Sequence, residues 1–70
     1  MNEVTFSIKE VKEIFSISYA TVLQWLGKYV DGKYTGKFKH AYKKDGNVYI
    51  PAIDVKKEID RIKERTIVNG

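Results

Sequence analysis

Seventy residues, 43% of them apolar and nine of them aromatic, predict one folded domain; at this length a chain buries only about 60% of the surface it exposes when unfolded, which leaves little room for a deep catalytic cleft. The absence of cysteine excludes a disulfide framework and thiolate metal sites. The net charge of +4 is unevenly spread: Lys28, Lys33, Lys37, Lys39, Lys43 and Lys44 fall in one stretch whose only acid is Asp31, so residues 28–44 carry +5 while the two flanks sum to −1 and zero. A charge excess this local points to a surface facing phosphates, with nucleic acid as the first partner to consider. No apolar run approaches the roughly 18 residues of a membrane span, and the N-terminus lacks a secretory apolar region. The expectation is a soluble cytoplasmic protein with no membrane partner.

The first element is a helix over 7–15. Ser7 and Glu10 have capping-box spacing, Phe6 and Val11 can staple the entering chain, and Ile8, Val11 and Phe15 share one face. Ser16-Ile17-Ser18 breaks the period and offers Ser18 as a new N-cap. A second helix over 18–28 follows, with Val22, Trp25, Leu26 and Tyr29 on its packed side and Tyr19, Thr21, Gln24 and Lys28 outward. Two short helices joined by so brief a turn make a helix-turn-helix pattern. Asp31-Gly32 and Thr35-Gly36 then predict a loop over 30–36.

From Lys37 the chain alternates, with Phe38, His40 and Tyr42 on one side and Lys39, Ala41 and Lys43 on the other. Lys44-Asp45-Gly46-Asn47 supplies a turn, and Val48-Tyr49-Ile50 a return strand, so a hairpin or wing is expected over 37–50. Pro51 suits the first turn of a third helix over 52–65, where Asp54 faces the positive end of the helix dipole. Val55, Ile59 and Ile62 form a stripe predicted to close over the two earlier helices. Residues 66–70 lack helical period and are expected to fray. The fold class is mainly α with a small β-hairpin, a winged helix-turn-helix of three helices plus wing in a single domain over 1–70.

Two blocks carry a family resemblance. Phe6-Ser7-Ile8-Lys9-Glu10-Val11 through Ile17-Ser18-Tyr19-Ala20-Thr21-Val22, and Val48-Tyr49-Ile50-Pro51 with Asp54-Val55, resemble the small excisionase-type DNA-binding domains of the MerR-like winged helix-turn-helix group. The two blocks cover about two-thirds of the chain. Between Leu26 and Ile50 the chain is about eight residues longer than that family's compact link. A similar arrangement occurs in DNA-binding domains of phage small terminase subunits. The resemblance implies a bacterial or phage-encoded protein of a mobile element that binds double-stranded DNA, either as an architectural factor directing an integrase or recombinase towards excision, with cooperative self-association on DNA, or as a small transcriptional regulator. The alternative is an accessory subunit of a replication, priming or packaging complex that docks on a replication protein and contacts single strands.

The residues expected at the DNA are Tyr19, Thr21, Gln24 and Lys28 from the second helix and Lys33, Lys37, Lys39, Lys43, Lys44 and Asn47 from the loop and wing. Gln24 can pair two-point with an adenine edge, and Thr21 can take a phosphate or a thymine methyl. Lysines neutralise phosphates without reading sequence; edge protection of a hairpin explains one or two of them but not six. Among the interleaved aromatics, Phe38 and Tyr42 are expected to pack against Trp25, and Tyr34 to be the exposed one. His40 stands alone, so no metal site is expected, and no nucleophile–base motif or phosphate loop is present; neither enzymatic activity nor a cofactor is anticipated. Lys56–Asp60, Glu58–Arg61 and Arg61–Glu64 read as solvated helix pairs.

Overall fold

A computed structural model describes residues 4–68. The order is β1 (Thr5–Phe6), α1 (Ile8–Phe15), α2 (Tyr19–Leu26), β2 (Tyr29–Val30), β3 (Lys33–Tyr34), β4 (Tyr42–Lys44), β5 (Asn47–Pro51) and α3 (Ala52–Val68). Three helices pack with a small antiparallel sheet of order β1-β5-β4, and β2 and β3 form a separate ribbon. The architecture is mixed α/β, with more strand than a mainly helical reading foresees.

The helix starts follow from local chemistry. Ser7 Oγ accepts from the Glu10 N–H at 3.1 Å while Glu10 Oε1 accepts from the Ser7 N–H at 2.8 Å, so the capping box satisfies two otherwise orphaned donors. Ser16 ends α1 in the left-handed region at φ 54°, and Ser18 caps α2 by accepting from the Thr21 N–H at 3.2 Å. The second helix is shorter than expected. Gly27, at φ 77°, leaves helical space after Leu26, so Lys28 and Tyr29 lie beyond α2.

The expected loop over 30–36 is largely a hairpin. Tyr29 pairs with Tyr34 and Val30 with Lys33 around Asp31-Gly32, whose φ values of 52° and 77° are the double positive signature of a type I′ turn. The return chain then docks on the end of α2. Gly36 N–H donates to Leu26 O and Lys37 N–H to Trp25 O, both at 2.8 Å, while Thr35 N–H reaches Lys28 O at 2.9 Å. Carbonyls that a helix C-terminus leaves unsatisfied thus find donors seven to twelve residues further on.

This docking overturns the expected alternation from Lys37. Residues 37–41 form turns, with Ala41 N–H donating to Phe38 O at 3.1 Å, so Phe38 and Ala41 enter the core together. The hairpin expected as a wing, and called the wing for its position in the chain, is β4 and β5 with the Asp45-Gly46 turn, in the register Tyr42↔Tyr49, Lys43↔Val48 and Lys44↔Asn47. Sequence periodicity also missed β1, which pairs Phe6 with Ile50 and Thr5 with Pro51. Pro51 ends β5 instead of opening the helix; beyond Tyr49 that strand has a neighbour only on the β1 side, so the missing N–H costs no ladder bond on the other.

The core comprises Val11, Val22, Leu26, Phe38, Ala41, Ile50 and Val55, with Phe6, Phe15, Trp25, Val48 and Ile59 packed around it. Trp25 meets Phe15 and Phe38 edge-on at 5.3 and 6.0 Å between ring centroids. Phe38 therefore packs as expected, whereas Tyr42 stays exposed and stacks on Tyr49 at 5.4 Å. The third helix packs against β5 and brings Val55 and Ile59 to the core that Val11, Val22 and Leu26 of the earlier helices share, while Ile62, the last residue of the expected stripe, is 39% exposed. It also runs past Arg65 to Val68; Asn69 and Gly70, the rest of the segment expected to fray, lie outside the described residues.

Asp54 does more than face a helix dipole. Its buried carboxylate accepts the His40 backbone N–H at 2.8 Å and lies 2.8 Å from His40 Nδ1, so the 38–41 turn is fastened to the first turn of α3. Of the three expected helix pairs only Glu58–Arg61 forms among the described residues, and Glu58 is buried, with Lys37 as a second partner.

Candidate nucleic-acid interface

Every residue of α2 has a side fixed by the core. Val22 and Leu26 are buried and Trp25 half-buried, which leaves Tyr19, Ala20, Leu23 and Gln24 outward. Tyr19 is 54% and Leu23 43% exposed, so no other part of the described chain covers this face. Tyr19 and Gln24 thus lie where the sequence analysis puts them. Thr21 does not: it is half-buried, and its Oγ1 sits 2.9 Å from Ser18 Oγ in the cap. Leu23, centred on the open face, is the residue that a polar reading of helix spacing passes over.

Both ends of that face are bordered by other elements. Beside its N-terminus, Tyr19 lines a groove of about 380 Å³ together with Ser7 and Lys9 of the first helix and Asn47 and Tyr49 of the wing. Beyond its C-terminus lies the β2–β3 hairpin, held by the Gly36 and Lys37 hydrogen bonds. Gly36 is indispensable to this contact. A Cβ there would lie 2.0 Å from Trp25 O and 2.5 Å from Leu26 C.

The six lysines separate into two classes. Lys37 turns inward: its Nζ is 3.2 Å from Glu58 Oε2 and 4.3 Å from the Trp25 ring centroid, so its charge is already balanced. Lys28, Lys33, Lys39, Lys43 and Lys44 are exposed and, among the described residues, have no acidic partner. Lys39 sits in the 38–41 turn and not on the wing. On the wing, Lys43 shares a face with Val48 and Lys44 with Asn47, because directly opposed residues of an antiparallel pair point the same way. Lys43 reaches towards the β2–β3 hairpin, its Nζ 6.0 Å from the Tyr29 ring centroid. One wing side chain thus extends to the hairpin.

The ring positions differ from expectation. Tyr34 is half-buried, and Tyr29, 47% exposed, is the outward one; their centroids are 4.8 Å apart. Burial pushes the Tyr34 phenol above its usual value, with Tyr29 adding to the shift. The Arg61 hydrogen bond, helped by Lys37, holds the Glu58 carboxyl below the usual carboxylate value against the opposing pull of burial.

Among the described residues no group of three or more His, Cys, Asp or Glu side chains is placed to hold a metal ion, and no helix is long and apolar enough to cross a membrane. Comparison with protein-family models, curated proteins and solved structures finds no match to this chain.

Proposed function

We propose that this chain is a winged helix-turn-helix protein that binds duplex DNA, with α2 entering the major groove and the β4–β5 wing and β2–β3 hairpin on the flanking backbones. The observation that carries this reading is the open face of α2, bordered at its two ends by elements that bring Asn47 on one side and Lys28 and Lys33 on the other. Gln24 is the base reader, suited to an adenine edge; Tyr19 and Leu23 supply apolar contact, and Lys28, Lys33, Lys43 and Lys44 neutralise phosphates. Lys37 has no part in it. The resemblance to excisionase-type domains extends the reading to an architectural role, in which adjacent copies bend a recombination site for an integrase. A transcriptional regulator of a mobile element would use the same surface.

The test is fluorescence anisotropy with labelled duplexes across a salt series. Four neutralised phosphates give a slope of log K against log salt of roughly −4, and bending of a duplex labelled at both ends raises energy transfer on binding. Duplex affinity that is flat with salt, or that survives alanine at both Tyr19 and Gln24, overturns the proposal.

A further inference from the structure

The β2–β3 hairpin is more than a carrier of lysines. A ribbon with two residues per strand is marginal by itself, yet this one is tied to α2 through Gly36 and Lys37, with Lys28 N–H donating to Thr35 Oγ1 at 2.9 Å. What this anchoring presents is Tyr29, 47% exposed, with Tyr34 inclined against it at 4.8 Å and Lys43 Nζ 6.0 Å from its centroid. Lys28 adjoins it in sequence, and Lys33, which pairs with Val30, is exposed on the opposite face of the ribbon. A cross-strand tyrosine pair would stabilise a hairpin equally well with acids or neutral side chains around it. The Lys43 cation at the ring, on a hairpin that also exposes Lys28 and Lys33, instead matches an aromatic platform on which an unpaired base stacks while a cation holds a neighbouring phosphate.

We infer that Tyr29 is a stacking site for an unpaired nucleobase, and that Lys43 holds a flanking phosphate of the single strand. The site goes beyond the duplex reading and does not rest on it, since Tyr29 lies outside the face of α2 assigned to the major groove. Because Gly36 and the α2 carbonyls fix the hairpin beforehand, little ordering cost falls on binding.

The experiment compares wild type, Tyr29→Phe and Tyr29→Leu for binding to oligothymidylate of about 12 nucleotides, to oligouridylate of the same length and to a blunt duplex. Loss of one base–ring stack lowers single-strand affinity about 5- to 150-fold. Tyr29→Leu shows that loss on oligothymidylate, Tyr29→Phe retains affinity, and duplex affinity stays within about twofold for both. The uridylate arm decides between DNA and RNA as the source of the strand. A second measurement on the unmodified protein guards against misfolding of the leucine variant: an oligothymidylate carrying 5-iododeoxyuridine is irradiated and the cross-linked peptide identified by mass spectrometry. Cross-linking at Tyr29 supports the site. No binding of either single strand, an equal loss on single strand and duplex, or cross-links only elsewhere overturns it, and each of these results leaves the Gln24 and salt tests of duplex binding standing.

Discussion

Gly36→Ala isolates the contact on which the basic hairpin depends. The backbone at Gly36 is outside the left-handed region, so alanine meets no dihedral penalty; the obstacle is space. A Cβ would lie 2.0 Å from Trp25 O, 2.5 Å from Leu26 C and 2.7 Å from Leu26 O, all backbone atoms of a helix end that cannot rotate aside. The chain must therefore withdraw, and the Gly36 N–H to Leu26 O and Lys37 N–H to Trp25 O bonds, both 2.8 Å, lengthen or break. Two such bonds are worth about 1 kcal/mol each, and forcing a methyl into a filled site costs about 1–3 kcal/mol. Against this, alanine restricts the unfolded chain and returns about 0.4–1 kcal/mol. The expected net loss is about 2–4 kcal/mol. In a domain of this size each kcal/mol moves the midpoint by about 4–8 °C, so thermal melts followed by circular dichroism should fall by at least ~8 °C. Gly32→Ala is the internal control: nothing lies within 4 Å of its Cβ position, but its φ of +77° makes the cost purely conformational, about 1–2 kcal/mol. A Gly36→Ala protein as stable as wild type would refute the docking of residues 35–37 on the end of α2.

Three further predictions concern the charged and reading residues. Lys43→Ala with Lys44→Ala should weaken binding to all duplexes together and flatten the salt slope by about 2, whereas Lys37→Ala, which removes a cation already paired with Glu58 at 3.2 Å, should leave the slope unchanged and lower only the melting temperature. Gln24→Ala should cost about 1–3 kcal/mol on a preferred site and relax discrimination at one base pair, as read by anisotropy against a panel of substituted duplexes. The pH dependence of stability has a definite sign. The Glu58 carboxyl is held below the ordinary glutamate value when folded, chiefly by its Arg61 hydrogen bond, so its contribution is complete above the unfolded-state pKa and is lost as pH falls towards and through the folded-state pKa; in urea melts, Glu58→Gln should be less stable near neutrality and show a shallower acid decline than wild type.

Local chemistry was readable wherever it needs only neighbours in sequence. The capping box at Ser7 and Glu10, the second cap at Ser18, the Asp45-Gly46 turn and the inward positions Val11, Val22, Leu26 and Val55 all follow from side chains three or four residues apart. The Asp31-Gly32 turn carried the same dipeptide as Asp45-Gly46 and could have been read as a hairpin; its strands are too short for alternation to show. Ala41 was placed on the side opposite Phe38 because the alternation from Lys37 implies a strand, whereas a turn spaces the two and buries both.

The lysine run illustrates the limit most clearly. Charge density along the chain marks residues 28–44 as basic, but it gives Lys37 the same weight as Lys43. Only the fold brings Glu58, twenty-one residues away, against Lys37 and leaves Lys43 uncompensated. The sequence by itself determined the helix starts, the wing turn and the location of excess charge, because these depend on covalent neighbours. Tertiary structure alone decided which donors satisfy the end of α2, that β1 joins the sheet, and which cations and rings stay exposed. Those outcomes depend on donors and acids supplied by distant segments, such as Gly36 at Leu26, Asp54 at His40 and Glu58 at Lys37, and no local pattern encodes them.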